Sequence, residues 1–274
     1  MPVTNAKEVN ELMTLLGSAP LKRYGQNFLV DQKIIKEIIA YFNPQAEDNI
    51  LEIGPGLGAL TSHLIDSRAQ VIVVEIDRKL SGFLNSNLKD KGNLTVINQN
   101  ILQTKINAFP SPLRIISNLP YNITTLIIEK ILKESVNVSD FLFMVQKEVI
   151  ARLNAKVGDS EYGPLAILLD LLTERTKVMN IPREAFYPQP NVTSTIFHIR
   201  LTHIYDNHDV ASLFRLIKAM FLSRRKTIFN NLAIYLQDKE KAAKTLENLS
   251  VSMNMRPEQL PPSAYLNLYL YLKK

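Results

Sequence analysis

The chain has no cysteine, which excludes disulfides, thiolate nucleophiles and cysteine zinc sites and fits a reducing compartment. It also lacks long apolar runs. Its runs, such as 71–74 and 141–145, fall far short of the ~18–20 residues a membrane span requires. The N-terminus has no basic start followed by an apolar stretch, and Lys7, Glu8 and Glu11 interrupt it. No secretion signal is expected, and the cytoplasm is the expected location. Glycine (9) and proline (14) are too few for a collagen-like or low-complexity chain. The four histidines, His63, His198, His203 and His208, show no metal-ligand spacing, so neither a metal nor a catalytic histidine is expected. What remains is 46% hydrophobic and 21% charged, the composition of a folded globular protein, and 274 residues suggest roughly two domains.

Net charge is +6 and unevenly placed. Residues 201–274 hold 11 basic and 6 acidic residues, a net +5, which leaves +1 for the first 200. A nearly neutral body with a basic tail suggests an anionic partner held at one end, although an ordinary solvated helical surface reads the same way.

Apolar residues at 34, 35, 38, 39 and 42 predict a helix over Gln32–Phe42, with Asp31 as N-cap and Asn43-Pro44 as its stop. Short β-type runs follow at 49–53, 70–76, 94–98, 113–117 and 141–146, with helical stretches between them at 60–67, 80–89 and 124–133. Several strands are apolar throughout, as in a parallel sheet covered on both faces. The alternation predicts an α/β doubly wound sheet. A helix over 164–172 and two late β runs, 177–181 and 193–201, can close the sheet as an antiparallel edge pair. From about Asp206 the pattern is helical only, with apolar stripes at 213, 216, 217, 220 and 221 and at 228, 232 and 236. The expected division is a catalytic domain over 1–204, with 1–20 loosely held, and a small basic helical domain over 205–274.

The first strand of the sheet runs into Glu52-Ile53-Gly54-Pro55-Gly56-Leu57-Gly58-Ala59, whose glycines permit a tight turn and close approach of a ligand. The next strand ends in Glu75, 21 residues after Gly54, where an acid can accept from both hydroxyls of a ribose. Alone these features also fit a nicotinamide dinucleotide. Glu52 favours S-adenosylmethionine, because a carboxylate there repels a pyrophosphate and suits a sulfonium and an ammonium.

After the fourth strand comes Asn118-Leu119-Pro120-Tyr121. In an open α/β sheet that position overhangs the ligand. An exocyclic amine attached to an aromatic ring is a poor nucleophile because its lone pair is delocalised into the ring. Two acceptors, the Asn118 side-chain oxygen and the Leu119 carbonyl, can hold its two hydrogens and aim the lone pair at a methyl group. Pro120 stiffens the backbone. Stacking on Tyr121, worth ~1–3 kcal/mol per base, offsets most of the cost of extruding the nucleotide.

With these residues the chain resembles the ribosomal RNA adenine N6-dimethyltransferases, and among them the small-subunit branch. The likeness extends from about Leu21 to Leu236. It rests on Lys22-Arg23-Tyr24-Gly25-Gln26-Asn27-Phe28-Leu29, the 52–60 loop, Val74-Glu75-Ile76-Asp77 and Asn118–Asn122. It also rests on 145–149, 186–194 and Phe221-Leu222-Ser223-Arg224-Arg225-Lys226.

The resemblance implies a class I S-adenosylmethionine-dependent methyltransferase (Rossmann-like) sheet with helices on both faces, plus a small all-helical C-terminal domain. Asn27, Leu29, Gly54, Glu75, Asn100 and Asn118 would line the cofactor site. Asn118, Leu119, Pro120, Tyr121 and Phe186 would form the catalytic group, with the Phe186 ring against the target base. Arg224, Arg225 and Lys226 would grip RNA phosphates, without sequence readout. The implied reaction is in-line dimethylation of N6 on two adjacent adenosines in the 3′-terminal hairpin loop of small-subunit (16S) rRNA. The implied partner is a partly assembled 30S particle, met by a monomer with no metal and no membrane. Position 100 departs from the family, which usually has Asp there to accept from the cofactor's adenine amine. Asn100 keeps a carbonyl acceptor and loses the charge, so weaker cofactor binding is expected. Three other readings stay open: a large-subunit rRNA adenine methyltransferase, a ribosome-assembly factor whose binding matters more than its chemistry, and a DNA adenine methyltransferase. The last would usually carry an acid at position 118.

Overall fold

The computed structural model describes residues 5–21, 25–88, 90, 92–120, 123–202 and 207–273, the side chains of 207–209 excepted. The strands are β1 Phe28–Leu29, β2 Asn49–Ile53, β3 Gln70–Glu75, β4 Leu94–Asn98, β5 Leu113–Asn118, β6 Val138–Gln146, β7 Thr173–Ile181, β8 Phe186–Tyr187 and β9 Ser194–Leu201. The helices are α1 Ala6–Leu15, α2 Gln32–Phe42, α3 Thr61–Asp66, α4 Arg78–Leu88, α5 Thr124–Lys133, α6 Lys147–Leu153, α7 Pro164–Leu172, α8 Asn207–Met220, α9 Ile228–Leu236, α10 Lys239–Asn248 and α11 Pro262–Lys273. None of the described helices is long and apolar enough to cross a membrane.

The chain divides into two compact units, one made of Met1–Lys147 with Arg175–Leu201, the other of Glu148–Glu174 with Thr202–Lys274. The C-terminal part of the second unit therefore begins at Thr202, three residues before the expected start at 205. Residues 148–174, expected in the catalytic domain, group with those helices instead. Tyr162, within that segment, donates its hydroxyl to the Leu260 carbonyl at 2.9 Å. A buried apolar segment joins whichever core covers it, and its place in the sequence does not reveal which.

The first unit is built on a seven-stranded sheet of order β4-β3-β2-β5-β6-β9-β7. The five strands from β4 to β6 pair in parallel, and β9 runs antiparallel to β6. Strand β2 is apolar on successive residues because both its faces are covered: Ile50 and Leu51 are fully buried. The helix over Gln32–Phe42 forms where the periodicity predicts it. Asp31 Oδ1 accepts from the Lys33 and Ile34 amides at 2.9 and 3.1 Å, and Asn43 closes the helix with φ 48°.

Residues 1–20 were expected to be loose, yet 6–15 form α1. An isolated helix shorter than ~12–15 residues is marginal in water. This one is held by tertiary burial. Val9 and Met13 are fully buried against Phe28, Val30, Leu57 and Leu80, each burial contributing ~1.5–3 kcal/mol. Its two anchors are too few to register as a sequence pattern.

At the N-terminal ends of β5 and β6, away from the loops that follow the strands, the Arg114 guanidinium sits 4.2 Å from the Phe42 ring. It bonds Asp48 at 2.7 Å and Asp140 at 3.1 Å. His198 Nε2 lies 3.0 Å from Asp140, and His198 Nδ1 lies 3.1 Å from the Tyr41 hydroxyl. Burial alone would raise the Asp140 pKa, but the bonds from His198, Arg114 and Ser139 outweigh it and hold the carboxyl below its ordinary range. The cluster fastens α2 to the sheet.

In the second unit Leu213, Leu216, Ile217 and Met220 are buried along α8, as are Ile228 and Leu232 on α9. The stripes seen in the sequence are thus its core.

Candidate active site

The C-terminal ends of β2, β3, β4 and β5 open into a crevice of about 970 Å³, part of it open to solvent. Asn27, Leu29, Gly54, Glu75, Asn100, Asn118 and Pro120 all line it.

The floor is the glycine loop. Gly54 has φ +66°, and a Cβ added there would meet nothing within 4 Å, so the missing side chain leaves open space. A Cβ on Gly58 (φ +82°) would come within 2.9 Å of Leu84 and 3.0 Å of Leu88, so only glycine lets the loop rest on α4. The Gly56 amide donates to Glu75 Oε2 at 3.1 Å, and the Asp77 amide donates to Glu75 Oε1 at 2.9 Å. Both bonds orient the Glu75 carboxyl. Burial raises its pKa above the ordinary value despite these donors. Glu52, 2% exposed, lines the same crevice and accepts from Thr61 Oγ1 at 2.6 Å. Burial pushes its pKa up to about 8, with Glu75 adding to the shift and the Thr61 bond opposing it. In the unliganded protein Glu52 is therefore mostly protonated at neutral pH, and a cation brought beside it favours its ionisation. Thr61 gave no sequence signal, because its role depends on α3 folding back over β2.

One wall is the 25–30 segment, tied down at several points. Leu29 pairs with Phe186 and Phe28 with Tyr187 in the two-stranded β1–β8 sheet, and the Val30 amide donates to the Ala185 carbonyl at 2.8 Å. Gln26 Oε1 accepts from the Leu21 amide at 2.8 Å, while its Nε2 lies 3.4 Å from Asp77 Oδ2. Gln26 itself lines the crevice and was not singled out in the sequence.

Asn118 Nδ2 donates to the Asn27 carbonyl at 2.8 Å. A carbonyl can only accept, so the contact fixes the amide with its nitrogen toward Asn27, and Oδ1 has no partner among the described residues. The Pro120 carbonyl accepts from the Ile123 amide and Thr124 Oγ1, at 3.2 and 3.0 Å, which steadies the turn after β5. The Leu119 side chain is buried, anchoring the backbone between them. Asn100 is fixed the other way. Its Oδ1 accepts from the Leu102 amide at 3.0 Å, capping a short 3-10 turn over Ile101–Gln103.

Tyr121 lies outside the described residues. Phe186 is 1% exposed and belongs to the core cluster that includes Leu29, Ile116 and Met144; it pairs with Leu29 across β1 and β8 and is not among the residues lining the crevice. Arg224, Arg225 and Lys226 belong to the second unit and are exposed. The Arg224 guanidinium donates to the Ser160 and Tyr162 carbonyls at 2.9 and 3.1 Å, so it holds that unit's fold.

A profile of the ribosomal RNA adenine dimethylase family matches residues 19–274. The chain belongs to this family. Among its relatives, the ribosomal RNA small subunit methyltransferase A of Clostridioides difficile (strain 630) is 38% identical over 248 residues, covering 87% of this chain and 86% of that one. The protein of the same name from Bacillus cereus (strain AH187) is 35% identical over 279 residues, covering 97% and 96%. Among solved structures, a dimethyladenosine transferase from Plasmodium falciparum superposes with a TM-score of 0.72 at 26% identity, covering 88% of this chain and 95% of that one. The 23S rRNA methyltransferase ErmE superposes with a TM-score of 0.63 at 25% identity, covering 90% and 100%.

The adenine dimethylase family depends on S-adenosylmethionine, and the crevice fits that group. Gly54 leaves space where a side chain would block it, Glu75 is held at the end of β3 for a ribose, and Glu52 is placed to meet a cation. Apolar Ile101, Ile123 and Ile127 line the wall where a purine ring can lie.

Proposed function

We propose that the chain dimethylates N6 of two adjacent adenosines in the 3′-terminal hairpin loop of small-subunit rRNA. On this reading it acts as a cytoplasmic monomer on a partly assembled 30S particle. The observation that carries this is the Asn118 amide, anchored through its nitrogen on the Asn27 carbonyl in the lining of the crevice that holds Gly54 and Glu75. Bound S-adenosylmethionine supplies a methyl already activated by its sulfonium, so the chain needs to orient an amine and no metal enters.

Asn118 Oδ1 and the Leu119 carbonyl accept the two hydrogens of the adenine amine and turn its lone pair toward the methyl. Because the Asn27 carbonyl holds Nδ2, the Asn118 side chain does not rotate to present a donor to that amine. The N6 lone pair forms the new bond to carbon as the carbon–sulfur bond breaks, and the proton lost from nitrogen passes to solvent. Tyr121 stacks on the extruded base. Arg225 and Lys226 meet RNA phosphates as point charges. Loops are where RNA bases are unstacked and available to such a site.

Mass analysis of rRNA from cells with and without the gene tests the proposal. Paired dimethyladenosines in small-subunit rRNA should vanish with the gene. Loss from large-subunit rRNA, or an unchanged profile, overturns the assignment.

A further inference from the structure

None of the described residues of α1 lines the crevice, yet the apolar cluster that anchors this helix reaches into the crevice wall. Val9 and Met13 are fully buried in one cluster with Phe28, Val30, Leu57 and Leu80. Three of these, Phe28, Leu57 and Leu80, also line the crevice. Phe28 lies in β1, Leu57 in the glycine loop and Leu80 in α4, so the cluster joins three parts of the site to α1.

Phe28 carries the link to the cofactor site. A Cβ on Gly56 would stand 3.0 Å from the Phe28 ring, so the ring rests directly on the Gly56 backbone. The Gly56 amide is one of the two donors that orient the Glu75 carboxyl, at 3.1 Å. Two polar ties fasten the helix to the same elements. The hydroxyl of Tyr187, which pairs with Phe28 across β1 and β8, donates to Asn10 Oδ1 at 2.9 Å. The Lys79 ammonium, at the start of α4, donates to the Gly17 carbonyl just beyond α1. A helix of ten residues is marginal by itself in water, so α1 depends on this docking.

We infer that α1 positions the cofactor site from behind: docked, it holds Phe28 on Gly56 and so keeps the Gly56 amide on Glu75, and the cofactor binds this docked form more tightly than the undocked one. Docking of α1 and cofactor affinity are then linked, each strengthening the other by the same factor. Met13 is a positioning residue, buried in the cluster without lining the crevice. The inference rests on the reading of the crevice as the S-adenosylmethionine site.

Two measurements with S-adenosylhomocysteine test it. In calorimetry, Met13→Ala should weaken binding by about tenfold or more, because a smaller docked fraction lowers the apparent affinity. Met13→Leu should restore wild-type Kd. A lower thermal midpoint with unchanged Kd in Met13→Ala would show that Met13 only fills a core, and the inference would be wrong. Hydrogen exchange needs no variant. In the free wild-type protein the α1 amides should exchange faster than those of β2, and ligand at about 100 times its Kd should slow them by up to about 100-fold, although none of them touches it. Rates in α1 that match those of β2, or that ignore the ligand, would equally overturn the linkage. Failure of wild type to bind the ligand would instead overturn the reading of the crevice itself.

Discussion

At the β5 end of the crevice, Asn118 is held through its amide nitrogen, which donates to the Asn27 carbonyl. At the β4 end, Asn100 is held through its oxygen, which accepts from the Leu102 amide. The two side chains are chemically identical. An asparagine is both donor and acceptor, and the nearest backbone group decides which way its amide is turned. At Asn118 the oxygen, without a partner among the described residues, suits an adenine amine that must lose its conjugation. At Asn100 the oxygen is the atom that is held, and it keeps a second lone pair beside the free hydrogens of its NH₂ group. The same rule separates Arg224, whose guanidinium is held by two carbonyls, from its neighbour Arg225.

The sharpest way to break this comparison is Asn118→Ala. It removes an acceptor aligned only in the transition state, so single-turnover methylation should fall by about 10²–10³-fold. S-adenosylmethionine affinity, read by calorimetry, should change far less. Near wild-type yields of dimethyladenosine would show that the oxygen freed by Asn27 is not the one the reaction uses.

Between the two asparagines lies Glu52, whose buried carboxyl titrates near pH 8 instead of at its ordinary 4.5. A group with a raised folded pKa contributes stability below its unfolded pKa and loses it as pH rises through the folded one. Wild type should therefore lose stability between pH 5 and pH 8 relative to Glu52→Gln, which keeps an acceptor for Thr61. The gap should widen by about 3 kcal/mol across that range, following ~1.4 kcal/mol per pKa unit. Urea denaturation of the unliganded proteins at the two pH values measures it. An equal gap at both would mean that Glu52 is ionised in the folded state.

The smallest effects concern the basic run. Arg224→Ala should lower stability by about 1 kcal/mol through loss of its carbonyl partners. Reversing charge at Arg225 and Lys226 should leave stability unchanged, weaken RNA binding and reduce its salt slope by about 2. Titration of a small-subunit rRNA fragment at several salt concentrations separates the two. If Arg224→Ala weakens RNA binding without loss of stability, the division within this run fails.

Much of this architecture is legible in the chain. Strands β2, β3 and β5 read as mainly apolar runs because both faces are covered, while β4 at the sheet edge is only partly buried, and α2 announces itself by period and cap. Gly54, Glu75 and Asn118 could be placed in one site because the end of each strand in a parallel sheet faces the same way. Other features were hidden for identifiable reasons. Helix α1 stands on two anchors, Val9 and Met13, whose partners are remote in sequence. The 148–174 segment carries no mark of which core covers it. Phe186 reads as an aromatic beside a rigid loop, and only the folded chain shows that it is buried and paired with Leu29.

The sequence by itself determined the strand–helix alternation, the glycine turn, the ribose acid and the placement of a hydrogen-bonding amide after β4 and after β5. These depend on local periodicity and on residue types that few other conformations use. Tertiary structure alone decided what those groups offer a ligand. The polarity of Asn118 depends on a carbonyl 91 residues away, the protonation of Glu52 on its burial beneath Thr61, and the role of Arg224 on two carbonyls more than 60 residues upstream. A side chain's chemistry is written in its formula, but its free valences depend on which partners the fold brings within hydrogen-bond reach.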